Sequence, residues 1–154
     1  MAEQPPLQFE PRVASFLTAA RVGHLATADA EGTPHNVPLC FWFDGTRFYF
    51  AIDEKPKSKE GLALKRMRNI AANPRVALVV DHYEEDWTQL GYVLIRGTAR
   101  VVDDPQEYML ALRYLRDKYV QYRAMTMVPE KNPIVRIDPM HVHAWGARFR
   151  AQQT

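Results

Sequence analysis

The dipeptide Asp44-Gly45, set between Phe41-Trp42-Phe43 and Arg47-Phe48-Tyr49-Phe50, limits the possible folds of this chain more than any other feature. Two aromatic-rich runs that meet at Asp-Gly pair antiparallel, because a two-residue turn asks for positive φ at both central residues and Asp-Gly tolerates it. A second turn signal, Asp29-Ala30-Glu31-Gly32, separates Arg21 to Ala28 from His35 to Phe43, and both flanking runs read as strands of a hairpin. Parallel neighbours would need crossovers of a dozen residues or more, which these short links cannot supply.

The remaining chain alternates helices with further strands. Val13, Phe16, Leu17 and Ala20 recur at i, i+3, i+4 and i+7, the spacing of one apolar helical face. From Lys59 to Ala72 a helical period places Ala63, Leu64, Met67, Ile70 and Ala71 on one side, and Asn73-Pro74 ends it. Val76 to His82 and Gly91 to Val102 read as strands around an acidic loop, Tyr83 to Leu90. Asp104-Pro105 opens a helix in which Tyr108, Leu112, Leu115, Tyr119 and Tyr122 share a face, the setting of core or dimer packing. Ile134 to Ile137 and His141 to Trp145 form a last strand or a pair broken at Asp138-Pro139. The fold class is mainly β: an antiparallel barrel decorated by helices.

The chain has 154 residues, 47% of them hydrophobic, which suits one domain with a real core, expected over residues 9–150 between a loose lead-in (1–8) and a short tail (151–154). A net charge of +2, from 20 basic and 18 acidic residues, gives no reason to expect nucleic acid. No apolar run approaches the roughly 20 residues of a membrane helix. A single cysteine, Cys40, and an N-terminus without a signal-like apolar stretch make the cytoplasm the expected compartment.

Charge is informative only locally. Residues 53–69, DEKPKSKEGLALKRMRN, gather Lys55, Lys57, Lys59, Lys65, Arg66 and Arg68 around the start of a helix, where free backbone N–H groups and cations together suit a phosphate. Arg66 and Asn69, three apart and placed by the helical wheel away from the apolar face, could grip one anion. A solvated basic face is the competing reading of the same charges.

The segments DEKPK, KRMRNIAANPRVALVVDHYEEDW and IRGTARVV resemble the pyridoxamine 5′-phosphate oxidase-like split barrels and, more closely, the PPOX-class F420-dependent enzymes, over roughly residues 10–147. The resemblance implies a homodimer of FMN-binding-type split β-barrels with cofactor at the subunit interface. By position it implies phosphate anchors at Lys55, Lys57, Arg66 and Asn69, a ring lying along His35, Asn36, Val37, Pro38 and Cys40, and an aromatic contribution from Trp145, with Arg148 a weaker match. The chain reads VPLCFWF and HAWGARFR where authentic vitamin B6 oxidases carry their own motifs, so oxidation of pyridoxamine phosphate is not expected.

Six basic residues between Lys55 and Arg68 exceed what one phosphate needs, and Arg21, Arg47 or Arg75 could extend the path. This favours coenzyme F420, whose phosphate continues into a carboxylate-bearing tail, over FMN. The expected activity is hydride transfer between the cofactor and a small organic acceptor, with His35 or a water held by Tyr92 as candidate proton donors and no protein nucleophile required. The alternative is a flavin-, deazaflavin- or haem-binding protein of the same fold without turnover. His141 and His143 face one way on a strand but lack further ligands at recognisable spacing. Asp86-Trp87 reads as a solvated loop held by one aromatic, or as a lid or dimer contact.

Overall fold

A computed structural model describes residues 5–53 and 64–150. Strands β1 (Gly23–Ala28), β2 (Pro34–Leu39), β3 (Trp42–Phe43), β4 (Phe48–Ala51), β5 (Arg75–His82), β6 (Gly91–Val101) and β7 (Ile134–Trp145) form one sheet in the order β2-β1-β5-β6-β7-β4-β3. Every pairing in it is antiparallel. Helices α1 (Pro11–Ala19), α2 (Lys65–Ala72) and α3 (Pro105–Lys118) interrupt the strands in the expected sequence. The result is a mainly β half-barrel of seven antiparallel strands with three helices among the described residues.

Alternation along the strands sorts the side chains. Leu25, Leu78, Val80, Val93, Ile95, Val135, Ile137, Phe48 and Phe50 are buried on the concave side, where Val13 and Leu17 of α1 and Met67 and Ile70 of α2 complete the core. A smaller cluster fills the opposite face of β4 and β7, with Tyr108, Leu112 and Leu115 of α3 packed on Tyr49, Ala51 and Ile134. Asp104 caps α3 by accepting from the Gln106 N–H, and Pro105 occupies its first turn. The helix stops at Lys118, and Tyr119 and Tyr122 enter the same cluster from the C-cap and a following 3₁₀ turn.

Three local expectations change. The link at Asp44-Gly45 spans four residues, since Phe43 pairs with Phe48. Gly45 alone takes positive φ there (103°), while the Asp44 carboxylate accepts from the Thr46 and Arg47 N–H groups. The run His35 to Phe43 divides at Cys40-Phe41, because the Phe41 N–H and carbonyl are bonded by the Tyr119 hydroxyl and the Lys118 Nζ instead of a neighbouring strand. Strand β7 runs unbroken through Asp138-Pro139, absorbing the proline in a register shift at Arg96/Gly97. Gly97 makes this possible: a Cβ there would sit 2.1 Å from the Asp138 carbonyl oxygen.

Candidate functional site

The site is assembled around β1, with β2 on one side and α2 across it. Helix α2 draws on good helix formers (Lys, Arg, Met, Ala) and ends at Asn73, before Pro74. No side chain caps its N-terminus, and Lys65 ties its first turn to the β1–β2 hairpin through Asp29 at 3.6 Å. That hairpin is rigid: the Asp29 carboxylate accepts from the Glu31 and Thr33 N–H groups, which hold its pKa below the usual value.

Asn69 does not lie where the helical wheel suggests. It is 1% exposed, on the inward side of α2, and donates from Nδ2 to the Thr27 hydroxyl at 3.0 Å. Packing accounts for the difference: both helix faces beside Met67 and Ile70 meet the sheet, and a buried amide must find a partner there. Thr27 is also the cross-strand partner of His35. The structure thus brings His35, Thr27 and Asn69 together. Arg66 lies on the same helix one turn earlier.

Arg66 is half-buried, and its Nε has no hydrogen-bond partner among the described residues; burial lowers its pKa and the nearby Asp53 opposes that. The Nδ1 of His35 is likewise buried without a partner. Unpaired buried polar atoms are uncommon and call for a missing ligand or water. Along β2, His35 and Val37 turn inward with Thr27 and Leu25, while Asn36 and Pro38 stand exposed on the outer face. Lys55 and Lys57 lie outside the described residues.

Beyond β2, Cys40 sits at the centre of a polar cluster that sequence reasoning did not assemble. The Tyr122 hydroxyl donates to Asp53 at 3.1 Å, the Tyr119 hydroxyl donates to the Arg21 carbonyl at 2.8 Å, and Lys118 donates to the Phe41 carbonyl at 2.9 Å. Burial, followed by Asp53, raises the Cys40 thiol, so it is no nucleophile at neutral pH. Burial, with Arg21 adding to it, brings Lys118 down to about 8. The only hint in the sequence was the 4-3-4-3 tyrosine spacing; nothing there shows that these hydroxyls reach residues 69 to 98 positions away. Arg66, Lys118 and Arg21 outnumber Asp53, which suits an anion. A terminal phosphate therefore fits the residues present: cations, a helix N-terminus and two orphaned polar atoms.

Trp145 is not part of this cluster within one chain. It ends β7, four strands from β2, is 48% exposed, and stacks on Tyr92 at 5.7 Å. It shares the outer face with exposed His141 and His143 and half-buried Leu94, Val79, Ala77 and Ala26. Trp87 does not anchor the acidic loop, being 71% exposed; the Asp86 carboxylate holds the turn by accepting from the Thr88 N–H and hydroxyl. No helix among the described residues is long and apolar enough to cross a membrane.

Comparison with known proteins bears on the family and the fold. The family described as pyridoxamine 5′-phosphate oxidase matches residues 9–146. A 5a,11a-dehydrotetracycline/5a,11a-dehydrooxytetracycline reductase of Streptomyces rimosus is 35% identical over 97 residues, 62% of this chain and 66% of that protein, just under two thirds of its length. Conserved hypothetical protein Rv2991 from Mycobacterium tuberculosis superposes with a TM-score of 0.73 at 21% identity, over 93% of this chain and 88% of that one. A solved F420 reductase superposes at 0.59 and 26% identity, over 84% and 94%.

Proposed function

Since the chain belongs to the pyridoxamine 5′-phosphate oxidase family, we propose that it is a flavin- or deazaflavin-dependent oxidoreductase, with coenzyme F420 favoured over FMN, acting on a small organic acceptor. The observation that carries this reading is Arg66: a guanidinium half-buried at an uncapped helix start, with no hydrogen-bond partner for Nε among the described residues, has been desolvated with the charge of nearby Asp53 offsetting only part of the cost. An anion offsets that cost. The family name does not carry the vitamin B6 activity here, since the second strand and C-terminus depart from that pattern. The 35% identical reductase and the solved F420 reductase are what favour reduction through a deazaflavin.

When bound, the cofactor supplies hydride transfer at its ring. The residues of the chain do the rest. Arg66, with Lys55 and Lys57, holds the phosphate, and Asn69 positions Arg66 by fixing α2 on Thr27. The edge of β2, from His35 to Cys40, orients the ring through its backbone, and His35 Nδ1 is available to hold or pass a proton. Trp145 reaches such a site only from a second copy. The outer face, with its half-buried Ala26, Ala77, Val79 and Leu94, is the surface on which a homodimer would form.

Visible absorption of freshly purified protein, with mass spectrometry of what it releases, tests the cofactor. Release of a deazaflavin or flavin is expected, and Arg66→Ala should weaken its binding at least tenfold. If neither cofactor binds, the reading fails. If one binds but its reduced form is never reoxidised by quinones, enones or tetrapyrroles, the protein is a carrier and not an enzyme.

A further inference from the structure

The end of β4 delivers a fixed carboxylate to the neighbourhood of Arg66. Ile52, just past the strand and 0% exposed, has both backbone groups bonded: its N–H donates to the Pro133 carbonyl and its carbonyl accepts from Asn132 Nδ2, each at 3.0 Å. Asp53 follows directly, and the Tyr122 hydroxyl donates to its carboxylate at 3.1 Å. Tyr122 is itself buried, in the 3₁₀ turn after α3. The carboxylate is therefore held from two elements.

Held there, Asp53 does not close on Arg66. No ion pair joins the two side chains, and the guanidinium Nε has no partner among the described residues. The two charges are still near enough to interact, since burial lowers the Arg66 pKa and Asp53 opposes that. The groups beside Asp53 add no second negative charge. Burial, followed by Asp53, raises both the Tyr122 hydroxyl and the Cys40 thiol, so both stay neutral at pH 7. The nearby cations are engaged elsewhere: Lys118 donates to the Phe41 carbonyl at 2.9 Å and lies 4.2 Å from the centre of its ring, Arg21 donates to the Lys118 carbonyl at 2.7 Å, and Lys65 pairs with Asp29 at 3.6 Å. Among the described residues, an anion at Arg66 Nε meets one guanidinium with one fixed carboxylate close by.

Such a site discriminates by ligand charge. Raising the ligand from one negative charge to two doubles its attraction to the guanidinium and doubles its repulsion from Asp53, while the cost of taking it out of water grows about fourfold. Phosphate chemistry supplies both cases. A phosphomonoester such as the end of FMN carries about two negative charges above its second pKa of about 6, whereas a phosphodiester carries one. The phosphate of F420, continued into a lactyl group, is a diester.

We propose that Asp53, held by Tyr122, is a specificity-determining residue that favours a cofactor whose phosphate is a monoanionic diester over one ending in a dianionic monoester. The inference rests on the cofactor reading above, and it places the discrimination between deazaflavin and FMN at the phosphate as well as at the ring.

The test uses three deazaflavin ligands that differ only at the end of the ribityl chain: the free alcohol, the phosphomonoester and its methyl diester. Fluorescence titration at pH 7.5 reads binding without turnover. The wild-type protein should bind the diester about threefold more tightly than the monoester, and both more tightly than the alcohol. Asp53→Asn keeps the size of the side chain and an acceptor for Tyr122 while removing the charge. It should raise monoester affinity about tenfold and diester affinity about threefold, because the repulsion removed scales with ligand charge, so the preference disappears. A merely structural role would shift both ligands alike and leave their ratio unmoved. A wild-type protein that does not prefer the diester, or a ratio unchanged in Asp53→Asn, overturns the role of Asp53 and leaves the cofactor reading intact. If neither phosphorylated form binds more tightly than the alcohol, the phosphate site at Arg66 falls and the inference with it.

Discussion

Replacing Asn69 separates a residue that touches ligand from one that positions the residue that does. Asn69 is 1% exposed and Thr27 3%, so their 3.0 Å hydrogen bond is shielded from water. Asn69→Ala removes one neutral hydrogen bond and strands the Thr27 hydroxyl, a loss of about 2–3 kcal/mol by the usual asymmetry between made and orphaned partners. With a denaturant slope of about 2 kcal/mol per molar urea, the unfolding midpoint should fall by about 1 M at fixed protomer concentration. The paired change Thr27→Val with Asn69→Leu removes donor and acceptor together, and should recover at least half of that loss. Urea denaturation followed by tryptophan fluorescence reads both, and cofactor titration of the folded variants reads the site. Because Asn69 reaches a ligand only through α2, the paired variant should keep cofactor affinity within about threefold. A midpoint that does not move in Asn69→Ala, with affinity down more than tenfold, would refute the reasoning and make Asn69 a direct contact.

The other predictions concern charge and packing elsewhere. An unfolded lysine keeps its proton to about pH 10.4, whereas Lys118 in the folded chain releases it near about 8. Between those values the unfolded chain binds more protons, so stability should rise with pH, by about 1 kcal/mol once partial exposure is allowed for; thermal melts of Lys118→Met should lack this rise. Above pH 10 the trend should reverse, because burial raises the Tyr119 hydroxyl to about 12 and Tyr122 also upward, so these phenols ionise first in the unfolded chain. Gly97→Ala puts a Cβ 2.1 Å from the Asp138 carbonyl and forces the β6–β7 pairing apart; a loss of about 3 kcal/mol, or roughly 10 °C in melting temperature, is expected by calorimetry. Arg136, with its side chain 11% exposed, bridges Glu107 at 2.8 Å and Asp138 at 3.1 Å. Arg136→Met should cost about 2–3 kcal/mol in a thermal melt, and adding Glu107→Gln should recover part of it.

What the sequence determined by itself was local. Turn residues at Asp29–Gly32 and Asp44-Gly45, the Asp104-Pro105 helix start and the Asn73-Pro74 helix stop act within a few residues, so the order of elements and the antiparallel class were legible from them. The α3 stripe was legible for the same reason: Tyr108, Leu112 and Leu115 recur at helical spacing and all are buried. Tertiary structure decided whatever depends on partners distant in the chain. Strand His35 to Phe43 breaks because a hydroxyl from Tyr119 takes the Phe41 N–H. Strand β7 survives its proline because Gly97, on a different strand, has no side chain. Asn69 turns inward because Thr27 offers a partner where α2 meets β1, although the basic run around it reads as an exposed face. Arg12, Arg21 and Arg148 are scattered through the chain and become a groove only when α1, the entry to β1 and the last turn pack together. Spacing in sequence fixes which residues share an element, but charge and hydrogen-bond complementarity across elements is set by packing, which the sequence pattern does not display.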